Sequence, residues 1–521
     1  MKRKLALFLA FLLAISTMIG SLSGCSDGGE TQSGDGEYVD LNILFVGFTI
    51  EDDYKYHQQV QDAINEKLYK DLGFKVRIHP TSYIDQYETM IALDMAQKMS
   101  YDFIRTSNGT AAPYAEKDTF LDIKPMIDKY APELWDLIPD SAWAENTING
   151  KVYGVPTCSF PISYGFWFRG DWLKKLGKEK PTSLAELESL CQAILDDKTI
   201  NPNGKVVPLA GHRDILEQIL LGMFTEHPGD YLENGKVMPK YFDPGYRQFV
   251  EKLAEWYKKG YIDDMVLNGD ENTINNLISQ GIVGIHAGNC YQLEYSVLNS
   301  YNTQLNLDMQ WSIPFAKDTK TYYSSGFGTD IIAFPATGKN SEKAFQYFNW
   351  YFNNEENSDL VLYGIEDLTY TRKQDPATGK DILAIPESEV TGTIKTMNDL
   401  MGFFGVNTYT TLQLKNTYAT RPAEASRAYD SCNTQEVLNN TYMDVTKYFQ
   451  VTLPTDIGTK ANDIKTYMVA AISDIIVGKT ASTDAAWASM RAEWEKLGGQ
   501  KVYDHYTSLY EQNKSTLSFL Q

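Results

Sequence analysis

Few side chains of this 521-residue chain sit at spacings that make a reaction. There is no H-E-x-x-H helix to hold zinc beside a general base, no G-x-S-x-G turn to expose a nucleophilic serine, and no G-x-x-x-x-G-K-[ST] loop to cradle phosphates. The six histidines, at 57, 79, 212, 227, 286 and 505, are scattered, as surface or packing histidines are. The 68 acidic residues could include the two carboxylates, about 5 to 10 Å apart, that glycoside hydrolysis needs, but no segment singles out a pair. An exported glycan-active hydrolase therefore stays open as an alternative. No cofactor is expected. What the composition does offer is aromatic surface: 13% of residues are aromatic, with 34 tyrosines among them. Rings beyond the needs of a core, with amides and carboxylates beside them, are what a cleft for sugars or peptides requires. A formal charge of −21 argues against nucleic acid, whose binding depends on clustered Lys and Arg.

The sharpest single feature is Cys25. Lys2, Arg3 and Lys4 make a cationic head, Leu5 to Ile15 is an uninterrupted apolar run, and small residues lead to Leu22-Ser23-Gly24-Cys25. That order describes a secretory signal, and the run is shorter than the about 20 apolar residues of a membrane span. The tetrapeptide resembles the bacterial lipobox, in which the cysteine thiol takes a diacylglyceryl group and becomes the new N-terminus. Residues 1–24 then read as the signal peptide and Cys25 as the lipidated residue. Residues 25–40, polar and Gly-rich, read as a flexible tether to the outer face of the cell membrane. The other cysteines, 158, 191, 290 and 432, have no C-x-x-C spacing, and their pairing stays open. A surface protein that binds peptide, polymer or another solute without transport is a further alternative.

Chemistry of this kind needs a scaffold, and roughly 480 residues after the tether are too many for one core and suit two lobes. Leu41 to Val46 reads as a buried strand. Val60, Ile64, Leu68 and Leu72 form an i+4 helical stripe, and Phe74 to Ile78 alternates as a strand. A helix over 85–98 and a strand at Tyr101 to Ile104 complete a βαβαβ run, which implies a largely parallel sheet flanked by helices. Further on, Ser183 and Glu186 are spaced as a capping box. Tyr246, Phe249, Val250, Leu253, Trp256 and Tyr257 share one helix face ended by Gly260, and Gly281 to Ile285 and Gly328 to Phe334 read as strands. Trp487, Met490, Trp494 and Leu497 mark a late helix.

Four ordered stretches carry a family likeness: Ile148-Asn-Gly-Lys-Val-Tyr-Gly-Val-Pro156; Arg169-Gly-Asp-Trp-Leu-Lys-Lys-Leu-Gly177 with Pro181, Thr182 and Glu186; Phe249 through Asp263; and Ala344 to Trp350. With the lipobox, they resemble the extracellular solute-binding proteins of ABC sugar importers, the large family 1 class related to maltose-binding proteins. The resemblance implies a two-lobed α/β, type II periplasmic-binding-protein-like fold, each lobe a mainly parallel sheet flanked by helices, with ligand in the cleft between them. It implies a lobe 1 of residues 41–160 with a return over 315–385, a lobe 2 of 161–314, and a C-terminal helical segment, 386–521, mainly with lobe 2. It also implies a carbohydrate ligand, for which the aromatic abundance favours an oligosaccharide, with permease subunits as partners and a monomer that is no enzyme. Many relatives carry an acidic calcium-type loop before a Pro-Leu. Here Asn201-Pro-Asn-Gly-Lys-Val-Val-Pro-Leu209 places Lys205, Val206 and Val207 where carboxylates would serve, so no metal is expected there.

In that family, as in open α/β sheets generally, ligand contacts come from loops at strand C-termini and from the crossings between lobes. Asn108, after the strand at Ile104, Asn289 and Tyr291, after the strand at Ile285, and Asp330, where the chain recrosses, are the polar candidates. Alternation along Tyr164-Gly-Phe-Trp-Phe168 puts Trp167 on the face opposite Tyr164, Phe166 and Phe168, so Tyr164 or Trp167 could meet ligand while the other face packs. Phe48, Tyr83 and Tyr114 follow early strands and complete the candidates. Arg169 and Asp171 read as a structural strand-to-helix joint.

Overall fold

The computed structural model describes residues 38–46, 54–83, 86–157, 162–201, 204–295, 297–324, 326, 328–374, 381–384, 417–418, 423–449 and 451–520. The signal peptide, Cys25, Phe48 and Cys158 lie outside them. In chain order the elements used below are strand β1 (Tyr38–Val46), helix α1 (His57–Leu72), β2 (Lys75–Tyr83), α2 (Tyr87–Gln97), β3 (Phe103–Ser107), α3 (Asn108–Ala115), α4 (Asp140–Ala144) and β4 (Gly154–Pro156). They continue with β5 (Tyr164–Arg169), α5 (Leu184–Asp196), β6 (Val207–Ala210), α6 (Arg213–Phe224), α7 (Pro244–Lys259), β7 (Val283–Asn289), β8 (Met309–Ser312), β9 (Tyr322–Ser324) and β10 (Asp330–Ala333). The last are α8 (Ser341–Phe352), α9 (Ala423–Cys432), β11 (Thr441–Met443), α10 (Thr455–Ile476), α11 (Asp484–Lys496) and α12 (Gly499–Asn513).

Two sheets organise these elements, in the orders β2-β1-β3-β10-β4 and β8-β5-β7-β6. Each is covered on both faces, so its inner strands are largely buried, whereas the edge strand β2 is half-exposed. In the first, Ile43, Phe103 and Ile332 join one apolar cluster while their chain neighbours Leu44, Ile104 and Ile331 join another. In the second, Phe166 and Phe168 pack with Phe249, Trp256, Met468 and Ile472, while Trp167 packs on the other face with Trp311 and Cys432. The C-terminal helices α10, α11 and α12 thus share the core of the second sheet.

The sheets are mixed rather than mainly parallel. β1 with β3 and β7 with β6 are parallel, but β10 runs antiparallel to both β3 and β4, and β5 runs antiparallel to β7 and β8. Chain crossing from the other sheet enters from the opposite end, and the local βαβ pattern could not reveal that. The second crossing also comes later than residue 315: Phe315 sits in the second core, and β9 pairs parallel with β11 in the same lobe. The return to the first sheet begins at Asp330. β1 starts at Tyr38, three residues before the strand expected from Leu41.

Local signals were obeyed closely. Asp243 caps α7 by accepting from Gly245 N at 2.7 Å, Pro244 occupies the first turn, and Gly260 at φ 76° ends it. Ser183 Oγ accepts from Glu186 N at 3.3 Å, but the Glu186 carboxylate reaches Thr182 N, at 2.8 Å, one residue outside the usual box. In α1, Val60, Ile64 and Leu68 are buried, whereas Leu72 at the last turn is 38% exposed. Among the described residues, no helix is long and apolar enough to cross a membrane. Cys191, Cys290 and Cys432 are free buried thiols.

Candidate functional site

The two crossings meet at Asp330. Its carbonyl accepts from Thr157 N at 2.9 Å and Thr157 Oγ1 at 3.1 Å, so the start of the first crossing is tied to the start of β10. Asp330 pairs in register with Ser107, the last residue of β3, and Thr329 O accepts from Asn108 N at 2.8 Å. Its carboxylate takes a hydrogen bond from Arg105 Nη2 at 3.0 Å, the arginine side chain being buried and the aspartate 40% exposed. Glu145, just past α4 and 1% exposed, accepts from Gly328 N at 3.0 Å, and Asn146 Nδ2 donates to Gly328 O at 2.9 Å. A Cβ on Gly328 would come within 2.5 Å of Asn146 Nδ2, and one on Gly326, at φ 132°, within 2.7 Å of Glu145 Oε2. Bare backbone is therefore required where the second crossing leaves the second sheet.

Tyr448, Val451 and Thr452 of the second lobe reach the first. Burial, then the charges of Glu145 and Asp444, push the Tyr448 hydroxyl well up. Val451 packs against the first lobe's apolar cluster, and Thr452 N donates to the Glu116 carboxylate.

Asn108 and Asp330 are brought to this junction. Asn108 is buried at the N-terminus of α3, which Ser107 Oγ caps by accepting from Thr110 N at 3.1 Å, and the Asn108 amide Nδ2 has no hydrogen-bond partner among the described residues. Tyr164 and Asn289 face each other in the β5–β7 register, both half-buried, and Asn289 Oδ1 accepts from Tyr291 N at 3.1 Å. β7 thus extends through Asn289, where a loop was expected. The Tyr291 ring lies 5.9 Å from that of Tyr429.

Trp167, expected as a possible ligand contact, is packed in the core. It is fully buried, its Nε1 donates to Asn289 O at 2.9 Å, and its ring lies 4.8 Å from that of Trp311. β5 is an inner strand with partners on both edges and packing on both faces, so neither side of the Tyr164–Phe168 alternation is open along its length. Tyr83 and Tyr114 are not at the junction either. The Tyr83 hydroxyl donates to Asp94 at 2.7 Å, a carboxylate shared with Tyr101, and Tyr114 packs edge-on against Phe120 at 6.1 Å. Arg169 is structural as read: it donates to Asp171 and Gly281 O, and its guanidinium lies 4.4 Å from the Trp172 ring.

Two cavities in the second lobe had not been singled out from sequence. One, of about 240 Å³, is bordered by Arg213, Asp214, Glu217, Lys240, Lys447 and Lys465 with Tyr241, Tyr246 and Tyr323. The other, of about 550 Å³, is bordered by Asp230, Leu453, Asn462, Tyr503 and Tyr506, and shares Tyr241 and Lys465 with the first. The strand-end rule could have found Arg213 and Asp214, which open α6 three residues after β6. The lysines come from distant segments. Lys240 pairs with Glu217, whose other oxygen accepts from the Tyr246 hydroxyl at 3.1 Å, and Arg213 pairs with Asp214 at 2.5 Å. Asp230 accepts from Lys240 N at 2.9 Å and the Tyr503 hydroxyl at 2.8 Å, yet burial, helped by the Asp444 charge, pushes its carboxyl up to about 7. No group of three or more His, Cys, Asp or Glu among the described residues is arranged to hold a metal.

A family model for bacterial extracellular solute-binding proteins matches residues 50–358. The polygalacturonan/rhamnogalacturonan-binding protein of Bacillus subtilis (strain 168) is 26% identical over 245 residues, 44% of this chain and 49% of that protein. A carbohydrate ABC transporter substrate-binding protein of Streptococcus pneumoniae serotype 4 is 24% identical over 309 residues, 58% of this chain and 60% of the relative. The matched regions thus span about half the length of these curated relatives. An extracellular solute-binding protein of Bifidobacterium longum subsp. infantis has a solved structure that superposes with a TM-score of 0.62 at 14% identity, covering 92% of this chain and 99% of that one. That likeness is one of fold.

Proposed function

The chain belongs to the bacterial extracellular solute-binding proteins, and from that premise we propose that it captures an oligosaccharide between its lobes and delivers it to the permease subunits of an ABC importer. The observation that carries the proposal is the junction itself. Two sheets are joined by crossings that bring together an unpartnered buried amide, Asn108, and a half-exposed carboxylate, Asp330. A buried donor without a partner costs about 1–3 kcal/mol, and a sugar hydroxyl would relieve that cost. Tyr164, Asn289 and Tyr291 offer matching groups on the second lobe. The two curated relatives, named for a polysaccharide and for carbohydrate, support the sugar assignment.

Capture requires closure, and ligand drives closure only by contacting both lobes better in the closed form. Lobe 1 then comprises residues 38–157 and the return from Asp330 through α8; lobe 2 comprises residues 162–324 and the C-terminal helices. The protein acts outside the cytoplasm as a monomer, held to the membrane through acyl chains on Cys25, and binds its sugar without cleaving it. A thermal-shift screen of mono- and oligosaccharides, with peptides as controls, tests the proposal. At ligand about 100-fold above Kd, binding adds about 2.7 kcal/mol and raises Tm by a few degrees. A shift with peptides and none with glycans would refute the sugar assignment.

A further inference from the structure

The charged pair at the junction of the lobes is asymmetric. Arg105 Nη2 donates to Asp330 Oδ2 at 3.0 Å, with the arginine side chain 10% exposed and the aspartate 40%. Register explains the order. Arg105 and Ser107 lie two residues apart on one face of β3, and Asp330 stands opposite Ser107, where both strands end. The cation is thus held within the sheet and the carboxylate toward solvent. Asp330 Oδ1 makes no hydrogen bond among the described residues. A ligand entering here meets an oxygen that only accepts before it meets the guanidinium.

A donor stands next to that acceptor. Asn108 follows Ser107 directly, and its N–H is tied to Thr329 O, one residue before Asp330. Asn108 is 9% exposed, and its Nδ2 has no hydrogen-bond partner among the described residues. A hydroxyl suits both groups, because it donates one hydrogen and accepts through its lone pairs. An ionised carboxylate or a sulfate ester has no hydrogen to donate. It could use the amide alone, and it would set a second negative charge against Asp330, which is costly in a partly desolvated cleft. Glu145, behind the second crossing, adds to the same sign, and its charge is felt at Tyr448.

We propose that Asp330 sets the specificity of the junction, selecting a saccharide ring that presents uncharged hydroxyls there and excluding rings that carry a carboxylate or a sulfate ester. The proposal rests on the chain being an oligosaccharide-binding protein with its ligand at the junction.

Calorimetric titration of the full chain with paired probes tests this: trigalacturonate and trimannuronate, each beside its carboxyl-reduced form, and a carrageenan tetrasaccharide beside its desulfated form. The neutral member of at least one pair is expected to bind about tenfold or more tightly than its acidic partner. Asp330→Asn keeps an oxygen for Arg105 to donate to and removes the charge. It is expected to weaken the neutral member and to bring the two members within about threefold of each other. Its unliganded Tm checks that the fold persists. If it does not, the parent decides through salt: from about 0.02 to about 0.5 M NaCl the acidic member should gain affinity on its neutral partner, and an unchanged ratio overturns exclusion by charge. Acidic members that bind as well as the neutral ones overturn the specificity and leave the oligosaccharide function standing. If no glycan of either kind binds, both fall. A neutral preference that survives Asp330→Asn overturns Asp330 as its source.

Discussion

Asn108 and Trp167 are both buried, yet their surroundings set them opposite tasks. Asn108 Nδ2 has no hydrogen-bond partner among the described residues, so Asn108→Ala should leave the unliganded Tm unchanged or slightly raised while weakening sugar binding about tenfold, the worth of one lost hydrogen bond. Calorimetry with the best-binding glycan checks the second half, and a fall in unliganded Tm would assign Asn108 to the scaffold. Trp167 makes its contacts in the core. Trp167→Ala should cost about 3–5 kcal/mol of stability by denaturant unfolding; loss of affinity with stability intact would restore it as a platform. Gly328 carries the junction in another way. A methyl there collides with Asn146 Nδ2 and Ala142 O, so Gly328→Ala should destabilise by about 1–3 kcal/mol, the usual cost of overpacking.

At the scale of elements, what could be read from sequence was local. The α7 face and its Gly260 stop lie close together along the chain and needed no partner to be recognised. β5 was recognised as a strand, but its two covered faces depend on β7 and β8, each more than 100 residues away. β9 was placed in the wrong lobe for the same reason, its pairing partner β11 lying far along the chain. The candidate site divides likewise. Asn108, Asn289 and Asp330 sit at strand ends and were legible, whereas the lysines of the cavity are drawn together from the segment before α7, the turn after β11 and α10. The packing of α12 on the Asp230 region makes a prediction of its own. Burial, with Asp444 nearby, raises the Asp230 carboxyl to about 7, against an ordinary value of 3.8. The folded state therefore keeps this proton over a range where the unfolded chain has released it, and this group's contribution to stability falls as pH rises from about 4 to 7. The Tm of Asp230→Asn relative to the parent should accordingly increase from pH 4 to pH 8. A constant difference would mean that Asp230 titrates normally.

For the whole molecule, the proposed anchor and the two lobes would serve one task. Cys25 followed by a polar tether would keep a receptor beside its permease and leave it free to turn. Cys25→Ala should move the protein from the membrane fraction to the medium without altering its affinity for sugar, as fractionation and calorimetry would show. Closure is the other whole-molecule property. The lobes touch through Val451 and Thr452 as well as through the crossings, so the proposed closure would draw together two bodies that are already joined at one side. The most direct test of the account is small-angle X-ray scattering during titration with the oligosaccharide that gives the largest thermal shift. The radius of gyration should fall with saturation, in step with the calorimetric isotherm, and peptides should leave it unchanged. A saturating sugar that binds without contraction, or a contraction produced by peptides alone, would contradict capture of an oligosaccharide between the lobes.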